Sequence, residues 1–505
     1  MSPPPRCAVT GFIQRVSTVC SGRREGWSAN VVVDRGKAPV RNLKRVPALP
    51  GRMAVRLSSR PLLLLAFAFA VMADPVSSVA YAIEAALRAL RGDLALLIPT
   101  MAVVVAVIGL VIVNYQQLIT RYPRGGGASA ATAEAFGEGW AFVPIGALIV
   151  DFVLTIAISV SAGASATIAY FPALASQRTL LALGLVVVVG AATWFGHLGR
   201  LVFALMTLAF IAVTATVLIY GLTAQPHQVG TITTTPGRAS VLAVVLAFPV
   251  AMALATGVEA PSSAIAQLGQ LDDRGRMLFG KVTLWLTLVI VGTITMGLTI
   301  EAHHLRIGIP PEGSTQIAEL ARVAAPNAVF AAFQLVTALL LLSAASSSFQ
   351  AGPGLLKALA RHTDHEGRAT GILPPVLGRT NIHHTPYWGV VLFTATATAV
   401  ALAAGGQDQR LVLFYAVSVF LSFLAGLVSM AVFSHRERRR SQLVLNLIGA
   451  AVVGFTLLVN LARGEPLFSL LAALLIAVVL HQMWVKAGRP RGVRDATALL
   501  ENDTA

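Results

Sequence analysis

Three carboxylates stand in the middle of apolar runs: Asp74 in AFAVMADPVSSVAYAIEAAL, Asp151 in LIVDFVLTIAISVSAG and Glu259 in LATGVEAPSSAIAQL. A charge at the bilayer centre costs at least ~2.5–3.5 kcal/mol, so an acid placed there calls for a partner or a cation. Pro75 follows Asp74, which removes a backbone donor and kinks a helix. Ser77 and Ser78 can satisfy the groups so freed. Glu259 is preceded by Gly257 and followed by Pro261, Ser262 and Ser263. Both segments thus run acid, proline, Ser-Ser. Asp151, Thr155 and Ser159 recur at i, i+4 and i+8 and share one helical face. That is an oxygen stripe on an otherwise apolar helix, and with the Asp on it a cation-lining face is expected. Tyr81 falls on the face of Asp74 if the helix resumes after Pro75. Tyr415, in LVLFYAVSVFLSF, is a phenol within another apolar run, a type that usually packs with one satisfied hydroxyl.

Other polar groups fit chemistry less well. Glu84, near the far end of the first apolar run, suits a solvated, gating or ligand position equally. His303–His304 and His383–His384 have no Cys or carboxylate spacing that completes a zinc site, and read as loop histidines. RYPRGGGAS at 121–129 lacks the Gly-Lys-Ser/Thr ending of a phosphate loop. It predicts a cytoplasmic turn before a short interfacial helix.

The elements that must hold these groups are apolar. Of 505 residues 56% are hydrophobic and 12% charged, about half the charge of a soluble domain, which excludes a soluble enzyme. Twelve segments are long enough to span a bilayer or nearly so: 62–90, 93–114, 140–170, 179–195, 198–222, 239–266, 278–302, 324–348, 388–405, 411–434, 442–462 and 467–486. They lack the alternation of barrel strands, so the fold class is all-α and polytopic, with about 12 transmembrane helices. The interrupted first and sixth segments occupy matching places in two five-helix halves, the mark of an inverted-repeat transporter with a midplane site. The expected organisation is a basic tail over 1–60, a transporter domain over 61–486 with repeats at about 61–222 and 239–434 and two further helices at 442–486, and a tail over 487–505.

The net charge of +16 could suggest nucleic acid, but its placement argues otherwise. Residues 1–60 carry 12 of the 38 Lys and Arg, and the loops on the same side carry 18 more. This positive-inside bias predicts cytoplasmic termini in a plasma-membrane protein. The RERRR run at 436–440 reads as a membrane-flanking anchor. Cys7 and Cys20 both precede the first apolar run, so no disulfide staples the helices and no cysteine metal site is expected. The tail before Met53 reads either as a lipid-binding extension or as residues upstream of the true start.

These residues resemble a known family. ADPVSSVAYAIE, RYPRGGGASAATAEAFG, DFVLTIAISVSAG, TGVEA, HHTPYWGV and LFYAVSVFLSF are similar, in the same order over about 60–435, to motifs of the amino acid–polyamine–organocation (APC) superfamily. The first and third helices look closest to the branch that includes KUP/KimA-type potassium–proton symporters. The resemblance implies a leucine-transporter-type fold, with two inverted five-helix repeats and two appended helices. It also implies ion contacts at Asp74, Tyr81, Asp151, Thr155, Ser159, Thr256 and Tyr415, with Glu259 coupling protons. Two departures are visible: the branch's D-A-L is Asp74-Pro75-Val76 here, and Pro-Ser-Ser follows TGVEA where Asn-Gly or Asn-Ala is usual.

Two functions follow. One is proton-coupled uptake of a monovalent cation, potassium foremost, held by carboxylate, hydroxyl and carbonyl oxygens and drawn inward by the membrane potential. The other is an amino acid or polyamine permease. Amino acid members carry a Gly-rich break in helix one that cradles the substrate carboxylate; VMADPVSS has no Gly there and places an acid instead, which would repel a carboxylate but suit an amine. A non-transporting sensor is the third class, and the acids at both breaks argue against it. No cofactor is expected beyond potassium and protons as cargo. The expected partners are the bilayer and the small solute, in a monomer or homodimer.

Overall fold

The structure, a computed structural model, describes residues 60–490 and 492, apart from 197–198, 236, 238–239, 362–370 and 465. The tail through residue 59, with Cys7, Cys20 and Met53, and the segment beyond 492 lie outside the described residues. The protein is polytopic and all-α. Among the described residues ten helices are long and apolar enough to cross a membrane, and two shorter apolar helices accompany them. The only β-structure among those residues is a pair of isolated bridges, Val229 to Ile307 and Thr231 to Ile309.

In chain order the first apolar run forms α1 (Arg60–Val71), α2 (Ala73–Ser77) and α3 (Val79–Ala89). There follow α4 (Leu94–Arg121), α5 (Gly127–Phe136), α6 (Phe142–Tyr170), α7 (Arg178–Trp194) and α8 (Arg200–Gly221). The sixth run is α9 (Ser240–Ala251), a 3-10 turn at Met252–Ala255 and α10 (Ala260–Ala264). Then come α11 (Asp273–His304), α12 (Gln316–Ala324), α13 (Asn327–Ala360), α14 (Tyr387–Ala403), α15 (Asp408–Arg436), α16 (Arg440–Leu461) and α17 (Leu467–Lys486). Each of the twelve expected segments falls on these helices.

The differences have physical causes. The second apolar segment was expected over 93–114, yet α4 continues to Arg121. Its polar side chains are satisfied across the bundle rather than by solvent. Asn114 Nδ2 and Gln117 Nε2 donate to Asn446 Oδ1, both at 3.1 Å. Asn446 Nδ2 in turn donates to Gln117 Oε1 and to Ser434 Oγ, each at 3.1 Å. Interhelical bonds of this kind contribute roughly 0.6 kcal/mol each in membrane proteins. Asn446→Leu, which removes four, is therefore expected to lower stability by on the order of 2 kcal/mol, read from thermal unfolding in detergent.

The glycine-rich 121–129 stretch does form a turn, with Gly125, Gly126 and Gly127 all at positive φ. The helix after it, α5, is short, as expected, and mostly buried against the rest of the protein. Arg121 fastens its end, bonding Glu134 and Glu437 at 2.6 Å each and lying over the Phe433 ring. Burial, together with the neighbouring Glu134 carboxylate, holds the Tyr122 phenol above its ordinary value. A helix that hydropathy did not predict, α12, has only nine residues and carries polar side chains; the Thr315 side chain caps it by accepting from Ala318 N. The central helix is α6, packed against α13, α15 and α17. Gly146 allows the last of these contacts, because a Cβ there would meet the Ala473 carbonyl at 2.5 Å.

Candidate functional site

Both interrupted helices break beside their acid, and the same local bond holds each break. At Asp74 the carbonyl accepts from Ser77 Oγ at 2.7 Å and from Ser78 Oγ at 3.3 Å. At Glu259 the carbonyl accepts from Ser262 Oγ at 2.7 Å. The serines were expected to satisfy groups freed by proline; the carbonyls they bond, at Asp74 and Glu259, also accept from the backbone N–H groups of Ser78 and Ser262, so the hydroxyls add a second bond beside each break and do not replace a lost one. The breaks differ in depth. The first is shallow: Met72 and Ser78 depart little from helical geometry. The second is a true unwinding, with Thr256 extended and Gly257 left-handed at φ 77°.

The two breaks touch. A Cβ on Gly257 would lie 2.8 Å from Asp74 Oδ2 and 2.7 Å from Pro75 Cδ. Only glycine combines that φ with that approach. Ser78 completes the seam, its Oγ 2.7 Å from Thr256 Oγ1 and 2.9 Å from the Tyr81 hydroxyl. On the facing side α6 presents Asp151 and Thr155, and Thr155 Oγ1 meets the Tyr415 hydroxyl of α15 at 2.8 Å. Asp151 lies within electrostatic reach of both Glu259 and Asp74, and Tyr415 within reach of Asp74, Tyr81 and Asp151. Four elements therefore gather Asp74, Tyr81, Asp151, Thr155, Thr256, Glu259 and Tyr415 around one locus. Ser159 shares the α6 stripe two turns from Asp151 and is fully buried, with no hydrogen-bond partner among the described residues.

The electrostatics of this locus is its main property. Asp74 Oδ1, Asp151 Oδ1 and Glu259 Oε2 are buried oxygens with no hydrogen-bond partner among the described residues. Buried charges are normally paired or bound to a cation. Asp151 is 4% exposed and Tyr415 fully enclosed, whereas Asp74 and Glu259 are half-buried. Among the described residues no three His, Cys, Asp or Glu side chains close on one metal-sized point. The ring is thus a loose oxygen cage with phenols and hydroxyls between its acids.

Three members were missed from sequence. Ser78 bridges the two breaks, beyond its backbone role. Ser418, one turn after Tyr415, lies beside the Asp151 carboxylate and donates to the Tyr415 carbonyl at 3.0 Å; the i, i+3 spacing from Tyr415 was the available signal. Tyr115 is fully buried within reach of Glu259 and Asp151 and packs edge-on against Phe423. Ending helix two at 114 placed it in a loop. Of the weaker candidates, His303, His304, His383 and His384 are exposed.

Glu84 is 3% exposed and fully paired, with Arg88 Nε at 2.8 Å and the Gln316 backbone N–H at 2.9 Å. It joins α3 to the first turn of α12, where an anion is favoured by the helix dipole. Glu84→Gln is expected to loosen α12 by about 1 kcal/mol. The readout is several-fold faster amide exchange over residues 316–321, with the α6 core unchanged.

The profile of the family described as "Amino acid permease" matches residues 62–491. The chain is also 28% identical over 395 residues to the potassium transporter KimA of Bacillus subtilis, an alignment covering 75% of this chain and 63% of that protein. It therefore spans less than two thirds of the length of this curated relative. With a profile matched almost from the first helix to the last and an all-helical polytopic fold, the chain belongs to the amino acid permease family of the APC superfamily, membrane transporters rather than enzymes.

Proposed function

We propose that this chain is a proton-coupled importer of a monovalent cation, potassium, across the plasma membrane, with both termini in the cytoplasm. The observation that carries the reading is the set of three acids, each with one buried oxygen that has no hydrogen-bond partner among the described residues, around the contact of two broken helices. Such a locus attracts a cation. Its carboxylate, hydroxyl and phenol oxygens, at Asp74, Asp151, Thr155, Thr256, Tyr81 and Tyr415, suit an ion that accepts several oxygen ligands in a yielding shell. Ser159 extends the same lining along α6. A relative whose name is that of a potassium transporter supports the choice of ion.

Glu259 takes the proton-coupling role. It sits next to the unwound Gly257 and is half-buried, so a proton can reach it, and it feels the charge of Asp74. With the proton on Glu259, Asp74 and Asp151 remain to balance the cation, so the two are carried inward together. The bias of Lys and Arg toward one set of loops supports the orientation.

The test is complementation of a strain lacking its potassium uptake systems, at limiting potassium, together with rubidium uptake into proteoliposomes. Growth rescue and uptake driven by an inward proton gradient support the reading. Glu259→Gln is expected to retain rubidium exchange while losing the response to the gradient. No rescue, together with accumulation of a labelled amino acid or polyamine, overturns it in favour of the permease alternative.

A further inference from the structure

Three helices that form the ring continue past it, away from α5, and there a second polar cluster joins them. Tyr81 stands on α3, Thr155 on α6 and Tyr415 on α15. Asp408 and Gln409 open α15, and Ser165 lies further along the same side of α6 as Thr155. At 1.5 Å of rise per residue, the cluster sits roughly 9–15 Å from the ring. Its bonds cross between the helices. Ser165 Oγ donates to Asp408 Oδ1 at 2.7 Å and accepts from Nη1 of Arg178, the first residue of α7, at 2.6 Å. Gln409 Nε2 donates to Asp408 Oδ2 at 3.0 Å and to the Tyr81 carbonyl at 3.3 Å. Ser165 and Asp408 are both buried.

The two clusters differ in charge. In the ring, three acids carry oxygens with no hydrogen-bond partner among the described residues. Out here each acid has a guanidinium: Glu84 meets Arg88 directly, and Asp408 meets Arg178 through Ser165. A matched cluster does not ask for a cation. What its short bonds do is hold α3, α6, α7 and α15 together. The turn between α14 and α15 is fastened to the same start of α7, where Thr179 Oγ1 donates to the Gly405 carbonyl at 3.0 Å. Each bond of this kind is worth only about 0.5–1.5 kcal/mol net, because water replaces it once it parts. The layer can therefore open and close within the range of a conformational equilibrium. Tyr81 belongs to both clusters: its hydroxyl meets Ser78 in the ring and its carbonyl holds Gln409.

We propose that Ser165, Arg178, Asp408 and Gln409, tied to the Tyr81 carbonyl, form the latch that closes the ring toward the external side, and that the solute enters when these bonds part. α3, α6 and α15 carry ring residues and latch residues alike, so the outward route from the ring runs past the latch. Tyr81 joins ring and latch within one residue, so a solute that draws on its hydroxyl also bears on the Gln409 bond. The external placement rests on the orientation proposed above; the latch does not rest on the choice of potassium.

The experiment uses the full chain carrying Cys7→Ser, Cys20→Ser and one reporter, Ala162→Cys, in sealed right-side-out vesicles. Ala162 lies between Thr155 and Ser165 on the same side of α6. A membrane-impermeant thiol reagent is added outside, and the rate of labelling is followed. Ser165→Ala removes two latch bonds with little change in volume, and is expected to raise the rate on the order of 5-fold, the scale of one or two such bonds. Asp408→Asn sets a donor against Gln409 Nε2 and removes the charge facing Arg178, and is expected to raise it as well. A second reporter, Ala157→Cys, fully buried on the opposite face of α6, is expected to stay slow in every variant. The proposal is overturned if Ser165→Ala leaves labelling unchanged from either side, or if Ala157→Cys quickens in step, which is general loosening. A rise seen only in inside-out vesicles overturns the external placement and the orientation with it. Labelling needs no substrate, so rubidium uptake remains a separate test of the function proposed for the ring, and the two readings fail independently.

Discussion

Asp151→Asn is expected to reduce cation uptake on the order of 100-fold while leaving the protein as stable as before, or more so. The two halves of that expectation come from one observation. Asp151 is 4% exposed and its Oδ1 has no partner among the described residues. Asn has almost the same volume, so the contact with Ser418 and the packing of α6 persist. What disappears is the negative charge, and the amide offers a donor where a cation needs an acceptor. A 100-fold loss corresponds to about 2.7 kcal/mol of lost cation stabilisation, within the scale of one desolvated ion contact. On the stability side, an unpaired buried charge costs several kcal/mol and its removal relieves that cost. An unfolding midpoint that rises as transport falls is the signature of a group retained for function. A midpoint that drops steeply with uptake would instead make Asp151 a packing residue.

Gly257→Ala is expected to be nearly as damaging, for a different reason. Gly257 holds φ 77°, which costs an L-residue roughly 1–2 kcal/mol. The new methyl would also lie 2.8 Å from Asp74 Oδ2 and 2.7 Å from Pro75 Cδ. Neither neighbour can yield cheaply: the Pro75 ring is rigid, and the Asp74 carboxylate is packed into the contact of the two breaks. Uptake is expected to fall at least 10-fold, with a loss of about 2 kcal/mol in stability. Gly405→Ala is the control, since Gly405 is at φ 65° with nothing within 4 Å of a Cβ. It bears only the backbone cost and is expected to leave uptake intact. Equal effects at both positions would show that the contact between the breaks is not what matters.

Much of this protein was legible in one dimension because the bilayer leaves few choices. Long apolar runs become helices, since no other single-segment structure satisfies its backbone in lipid. Buried acids are conspicuous there, so Asp74, Asp151 and Glu259 stood out by cost alone, and proline and serine beside two of them marked the breaks. The i, i+4, i+8 spacing of Asp151, Thr155 and Ser159 follows from helix geometry. Where hydropathy was a poor guide, polar residues were satisfied inside the bundle: α4 outran its apolar run because Asn446 receives Asn114 and Gln117, and Tyr115 was lost with that missing turn. For α12, nine residues with Gln316, Glu319 and Arg322 carry no spanning signal.

Alone, the sequence determined the class, the number of apolar segments, the acids and the places where two helices must break, because each is a local property of composition and spacing. Only the tertiary structure decided that the two breaks meet and that Ser78 links to Thr256 and Tyr415 to Thr155. Those are contacts between residues 178 to 260 positions apart. They depend on how helices pack, and packing is set by the shapes of both partners at once, which no single segment encodes.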